Sequence, residues 1–388
     1  MFHQRISLES FDPLSIIIIS LGAFALPLLA NRIKIPSIVL EIAYGLFIGP
    51  VLGLVTSSEF ISGLAILGFF LLMFLSGFEI ELEIFEDKGI KQLAIPFFIF
   101  LGTLGLSLFI VDFLQYDLFL ALVLGTTSVG IVVPILRSDE KIKSQYGQMI
   151  LLSAIIADFL TLIIATIYAS IARTGNFTTS SMNAVLYFIV IFLVLRLLRR
   201  AAWWYPEIFQ RLFNADDPEE IGIRASLALM LSLVGLSVLF DIEPILGAFL
   251  AGTVFALVFP NRGSLETSLK GFSYGFLIPI FFINIGLNYD IRILTNATFY
   301  VEVLLLLGLA ILVKLVPSFL MAIFDIKIRD IFAAGFLLSA RFSLIIAMAE
   351  IGVELGLLSQ QVESEIIFLA ALTATFAPIG YRFFSIKK

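Results

Sequence analysis

Thirteen apolar runs divide the chain, near residues 14–31, 36–55, 61–78, 92–113, 117–136, 147–171, 183–203, 222–240, 243–260, 272–288, 299–323, 329–353 and 362–384. Most are close to the roughly 20 residues that an α-helix needs to cross a bilayer. Inside lipid each backbone amide has to be satisfied within its own segment, so such runs fold as helices. The chain of 388 residues is 60% apolar and only 14% charged, whereas soluble domains carry about 25% charge. The sequence therefore predicts an all-α polytopic membrane protein of about 13 transmembrane helices, one transporter-like domain over residues 1–388 lying in the lipid bilayer.

The basic residues test that count. Of 24 Lys and Arg, 19 fall in the connections after spans one, three, five, seven, nine and eleven or in the C-terminal tail, and three (Arg5, Arg173, Arg292) fall on the other side. Lys314 and Arg341 lie inside spans. By the positive-inside rule, the N-terminus is expected outside and the C-terminus inside. An odd number of spans makes the first six and the last six run in opposite directions. Inverted repeats are thus expected near 14–171 and 222–384, joined by a linking helix near 183–203. Secondary transporters are built this way, with an ion site where broken helices cross at the midplane. The connection near 202–221, with Trp203-Trp204-Tyr205 and the acids Asp216, Asp217, Glu219 and Glu220, reads as a surface linker.

Several chemistries are set aside at once. There is no cysteine, and the one histidine, His3, lies outside the apolar runs. Thiolate and imidazole metal sites are therefore not expected, nor are an enzymatic centre, a resident cofactor or a nucleic-acid partner. The first span reads as an anchor rather than a cleaved leader.

Asp158 is the one acid within the run 150–172. A carboxylate at that depth costs roughly 2.5–3.5 kcal/mol on insertion scales, and such a group is read as a proton or ion site by default. One span earlier stands Gly125-Thr126-Thr127-Ser128-Val129-Gly130, followed by Pro134. Proline frees a backbone carbonyl about one turn earlier, near Gly130, and irregular backbone at this depth needs a protein or water partner. Freed carbonyls and the hydroxyls of Thr126, Thr127 and Ser128 are hard oxygen ligands, suited to Na⁺ or K⁺ beside Asp158. The alternative for this segment is a kinked packing helix with small residues at an interface.

Span twelve carries Ser339-Ala340-Arg341-Phe342-Ser343 at its centre. Arg341 stays charged, so it is expected to meet carboxylates or the carbonyl ends of a broken helix. Lys314 lies about nine residues, or ~13 Å, from the inner end of span eleven, too far to snorkel comfortably. Its expected partner is Asp158. Glu41, near the inner boundary of span two, is a candidate funnel residue, and Ser343 a site-supporting hydroxyl. The acids at residues 79–87 read as a solvated face.

These stretches resemble the monovalent cation:proton antiporters of the Kef and Nap type. The similarity rests on Pro36-Ser37-Ile38-Val39-Leu40-Glu41 through Gly49-Pro50, Leu75-Ser76-Gly77-Phe78-Glu79, Thr127-Ser128-Val129-Gly130, Leu246-Gly247-Ala248-Phe249-Leu250-Ala251-Gly252 and Pro279-Ile280-Phe281-Phe282-Ile283-Asn284-Ile285-Gly286, in that order along the chain. The resemblance implies a homodimer in a bacterial plasma membrane, and elevator-type alternating access. It also implies Asp158 as the carboxylate that holds cation or proton in turn, with Thr127 beside it as a further cation ligand. Three departures stand out. Ala157 replaces the polar or acidic neighbour usual in the family, which predicts one-for-one, electroneutral exchange. Ser343 stands where Kef-type members carry Glu. The chain stops after span thirteen, so no cytosolic regulatory domain is expected, and any regulator has to be a separate subunit. A sodium- or proton-coupled symporter of a small anion is the alternative on a similar fold; it needs basic groups at the site, and only Lys314 and Arg341 are available.

Overall fold

The computed structural model describes residues 12–33, 37–78, 90–142, 144–174, 177–205, 207, 219–259 and 263–385. His3, the acidic stretch 79–87 and most of the 202–221 connection lie outside them. The described part is helical throughout: α1 (Pro13–Ile33), α2 (Ser37–Leu46, continued by a π-turn Phe47–Val51), α3 (Glu59–Phe78), α4 (Ile90–Phe113), α5 (Phe119–Gly125), α6 (Val129–Ser138), α7 (Gln145–Thr174) and α8 (Phe177–Trp204). There follow α9 (Ile221–Leu239), α10 (Pro244–Val258), α11 (Gly263–Phe272, joined by a π-turn to α12, Ile278–Leu287), α13 (Ala297–Ser318), α14 (Ile328–Leu338), α15 (Ser343–Glu354) and α16 (Gln360–Phe384).

Each apolar run of the sequence coincides with a helix or a helical pair. Among the described residues, ten spans are long and apolar enough to cross a bilayer, and the bent pair α14–α15 makes an eleventh. α2 with its π-turn and α10 are shorter apolar helices at the two remaining positions. Two helices open on side chains that take up free amides. Asn296 accepts from Thr298 N at 3.1 Å to open α13, and Ser359 accepts from Val362 N at 3.3 Å to open α16.

The helices pack as two groups. One comprises α1, α2, α3, α9, α10 and α12; its central contacts are α3 on α10 and α2 on α12. Glycines make both possible. A Cβ on Gly77 would lie 2.0 Å from Phe249 O, and one on Gly252 1.9 Å from Phe74 O. Gly45 and Gly286 meet in the same way where α2 crosses α12. Without a hydrophobic drive between helices in lipid, such close backbone contact is what supplies cohesion. The other group comprises α4–α7 and α13–α16, with α4 on α13 at its middle. The two groups meet chiefly where α3 touches α15 and α10 touches α7. The linking helix α8 lies outermost, with Met182, Ile189, Phe192 and Leu197 exposed.

Candidate functional site

Two interrupted spans cross inside the second group. α5 ends at Gly125; Thr126 (φ −61°, ψ 158°) and Ser128 (φ −121°, ψ 105°) are extended before α6 begins. α14 ends at Leu338, and α15 restarts at Ser343 with a 48° bend. The break in span five thus falls one turn before Gly130, and Pro134 sits inside α6. Threonine donors explain the position. Thr126 Oγ1 donates to Val123 O at 2.8 Å, Thr127 Oγ1 to Leu338 O at 3.2 Å, and Thr127 N–H to Asp158 Oδ1 at 2.9 Å. The extended segment is held by these bonds rather than by a carbonyl freed at Gly130.

Each interruption leaves a helix C-terminus whose carbonyls carry about half a negative charge. Two buried cations answer it. Arg341 is fully buried. Its Nη2 donates to Leu124 O (2.6 Å) and Ala310 O (3.2 Å), and its Nη1 to Ala310 O (3.1 Å) and Ser339 O (3.0 Å). Lys314 is 2% exposed and donates to Gly125 O at 2.6 Å. The direct bond of Lys314 therefore goes to the end of α5. Asp158 acts on both cations electrostatically.

Asp158 is partly exposed, and what it faces is a cavity of about 120 Å³ shared with Ser76, Ser128, Gly130, Tyr274 and Ser343. That is well above the ~10–15 Å³ that one water needs. No Lys or Arg lines it. The wall on one side comes from α3, α10 and the α11–α12 π-turn; the other side comes from α6, α7 and α15. The cavity thus lies between the two helix groups.

Of the residues singled out in the sequence, Asp158, Ser128 and Ser343 meet in this cavity. Thr127 reaches Asp158 with its amide, while its hydroxyl turns to Leu338. Thr126 turns to its own helix. Lys314 and Arg341 stand behind the break. Glu41 is buried in α2 beside Ser37 and does not line the cavity. Sequence reasoning passed over Ser76 and Tyr274 as site residues. Ser76 Oγ lies 3.4 Å from Ser343 Oγ; a hydroxyl near the inner end of the apolar run of α3 was the available signal. Tyr274 gave none. Glu350 and Glu365, acids inside the last two apolar runs, were also passed over. No group of three acidic or histidine side chains is placed to hold a metal ion among the described residues.

The family model for the transmembrane sodium/hydrogen exchanger matches residues 16–387. The chain belongs to the sodium/hydrogen exchanger family. Among its relatives in this family, YjbQ of Bacillus subtilis is 36% identical over 95% of the chain, and the match spans 62% of YjbQ's own length. The Na⁺/H⁺–K⁺ antiporter GerN of Bacillus cereus is 29% identical over 90% of each chain. The exchanger fold is seen in a solved structure as well. The sodium proton antiporter MjNhaP1 of Methanocaldococcus jannaschii superposes with a TM-score of 0.66 over 94% of both chains, at 14% identity.

Proposed function

We propose that this exchanger moves an alkali cation, Na⁺ or K⁺, in one direction and a proton in the other, with Asp158 holding one or the other. The observation that carries the reading is the Asp158 carboxylate: it faces a small cavity between two helix groups, next to two broken helices whose carbonyl ends hold Lys314 and Arg341. Lys314 and Arg341 are engaged by carbonyl oxygens behind the break and do not line the cavity, so Asp158 is the ionisable side chain that faces it. A proton or a cation on that carboxylate yields the same net charge. Carriage of one inward and the other outward is then electroneutral, and an empty, charged carboxylate is costly to move through the membrane.

Three finer features belong to the same reading. The cavity between the groups suits an elevator motion, in which the α4–α7 and α13–α16 group slides against the other. Recurring pairings suit inverted repeats: α2 on α12 answers α10 on α3, and α4 on α7 answers α13 on α16. The exposed apolar outer faces suit lipid and a second copy of the chain. Anion symport is less well supported, since no basic side chain lines the cavity.

The test is transport by purified protein in liposomes that carry a pH dye. Cation gradients of Na⁺, K⁺, Rb⁺ or Li⁺ should drive pH change, and Asp158→Asn should abolish it. Exchange retained by that variant refutes the assignment.

A further inference from the structure

Two hydroxyls of the Asp158 cavity meet at the seam between the helix groups. Ser76 comes from α3, in the group that does not carry Asp158, and Ser343 opens α15, in the group that does. Their oxygens are 3.4 Å apart. A good hydrogen bond between hydroxyls brings the oxygens to roughly 2.5–3.0 Å, so the two do not satisfy each other. Around them the wall is largely apolar, with Met73, Phe249, Phe342 and Leu344. Polar groups in such a place need a partner.

The hydrogen of Ser76 is spent elsewhere. Its Oγ donates to Leu72 O, one turn back in α3, at 3.0 Å. What Ser76 turns to the cavity is therefore lone pairs. Ser128 and Asp158 bring further oxygens to the same space, and no Lys or Arg lines it. Oxygen acceptors beside a carboxylate suit a hard cation and repel an anion.

The spacing carries a size. Ca²⁺, whose radius is close to that of Na⁺, holds oxygens at about 2.3–2.6 Å. Two ligands at right angles around such an ion lie about 3.3–3.7 Å apart. Ser76 and Ser343 stand within that range, whereas the larger K⁺ requires its ligands further apart.

We propose that Ser76 and Ser343 are direct ligands of the transported cation, one from each helix group, and that their spacing sets a preference for Na⁺ over K⁺. This rests on the exchange reading, in which Asp158 holds the same ion. The bound ion bridges the seam, and Ser76 is the ligand left behind when one group slides against the other.

Binding of radiolabelled Na⁺ and Rb⁺, the second standing in for K⁺, to the purified chain tests it. Ser76→Ala and Ser343→Ala should each weaken Na⁺ binding about three- to tenfold, the worth of one oxygen contact, and weaken Rb⁺ binding less. Ser76→Thr retains the oxygen and should bind Na⁺ within about twofold of the wild type. A serine that only joins the helices shifts both ions together and is not rescued by threonine; that outcome, or Na⁺ binding unchanged in both alanine variants, overturns the proposal. Asp158→Asn separates it from the exchange reading. Wild-type binding that is lost in Asp158→Asn and indifferent to both serine variants sinks this proposal alone. Binding that persists in Asp158→Asn sinks the exchange reading, and the serine variants still decide whether Ser76 and Ser343 hold the ion. A wild-type chain that binds neither ion sinks both.

Discussion

Asp158, Lys314 and Arg341 show how one residue's role depends on what it is offered. The two cations stand close to the only acid of α7's apolar run, yet their hydrogen bonds go to carbonyl oxygens. Each orphaned buried carbonyl costs about 1–3 kcal/mol. Arg341→Met should therefore lower the melting temperature of the purified protein more than Lys314→Met, because three carbonyls lose their donor instead of one. Arg341→Lys should fall between the two in the same measurement, since it keeps the charge without the planar fork. Lys314→Gln should still exchange cations. Its pH profile of exchange should be displaced more than its maximal rate, because Lys314 and Asp158 act on one another electrostatically. An unchanged pH profile in liposomes would mean that Lys314 serves the break alone.

The broken spans α5–α6 and α14–α15, and the glycine crossings of α3 with α10, are features of elements. A Cβ at Gly77 would sit inside the van der Waals radius of Phe249 O. Gly77→Ala should cost about 1–3 kcal/mol through overpacking, read as a fall in melting temperature in detergent. Gly105, in the interior of α4, meets nothing within 4 Å. Gly105→Ala should be neutral or stabilising by about 0.5–1 kcal/mol, because alanine restricts the chain where glycine does not. Reversal of this order would show that the crossing is not held by backbone approach. The break overlaps the start of the Thr127–Gly130 stretch and lies about one turn before the carbonyl that Pro134 frees. Proline within a short helix such as α6 gives up a single amide bond, whereas three threonine donors at residues 126 and 127 stabilise a fully extended segment.

At the scale of the whole molecule the proposed exchange places its moving parts at the seam between the two helix groups. Ser76 and Ser343 face each other across it with oxygens 3.4 Å apart, and the chain holds no cysteine. Ser76→Cys with Ser343→Cys should form a disulfide under mild oxidation and stop exchange, with activity returned by reductant. Continued exchange by the cross-linked protein would rule out sliding at this seam. Electroneutral carriage makes a further demand: collapsing the membrane potential with an ionophore should leave the exchange rate in liposomes unchanged, and a change in rate would require a second charge to move.

Hydropathy runs, the placement of basic residues and a lone buried acid are properties of composition along a line. They sufficed for an all-helical membrane chain, for the positions of its spans, and for Asp158 beside a broken helix. Lipid enforces them locally, one span at a time, because each segment has to satisfy its own backbone. Pairings across the molecule were beyond their reach. Only the tertiary structure decided that Lys314 reaches Gly125 O, that Thr127 offers Asp158 its amide rather than its hydroxyl, that Glu41 lies apart, and that Ser76 and Tyr274 wall the cavity. It also gathered Asp290, Glu350, Glu354 and Glu363 from three separate parts of the chain into one space. The reason is geometric: a side chain's partner inside a bundle is chosen by which helices cross and at what height, and hydropathy carries no record of either.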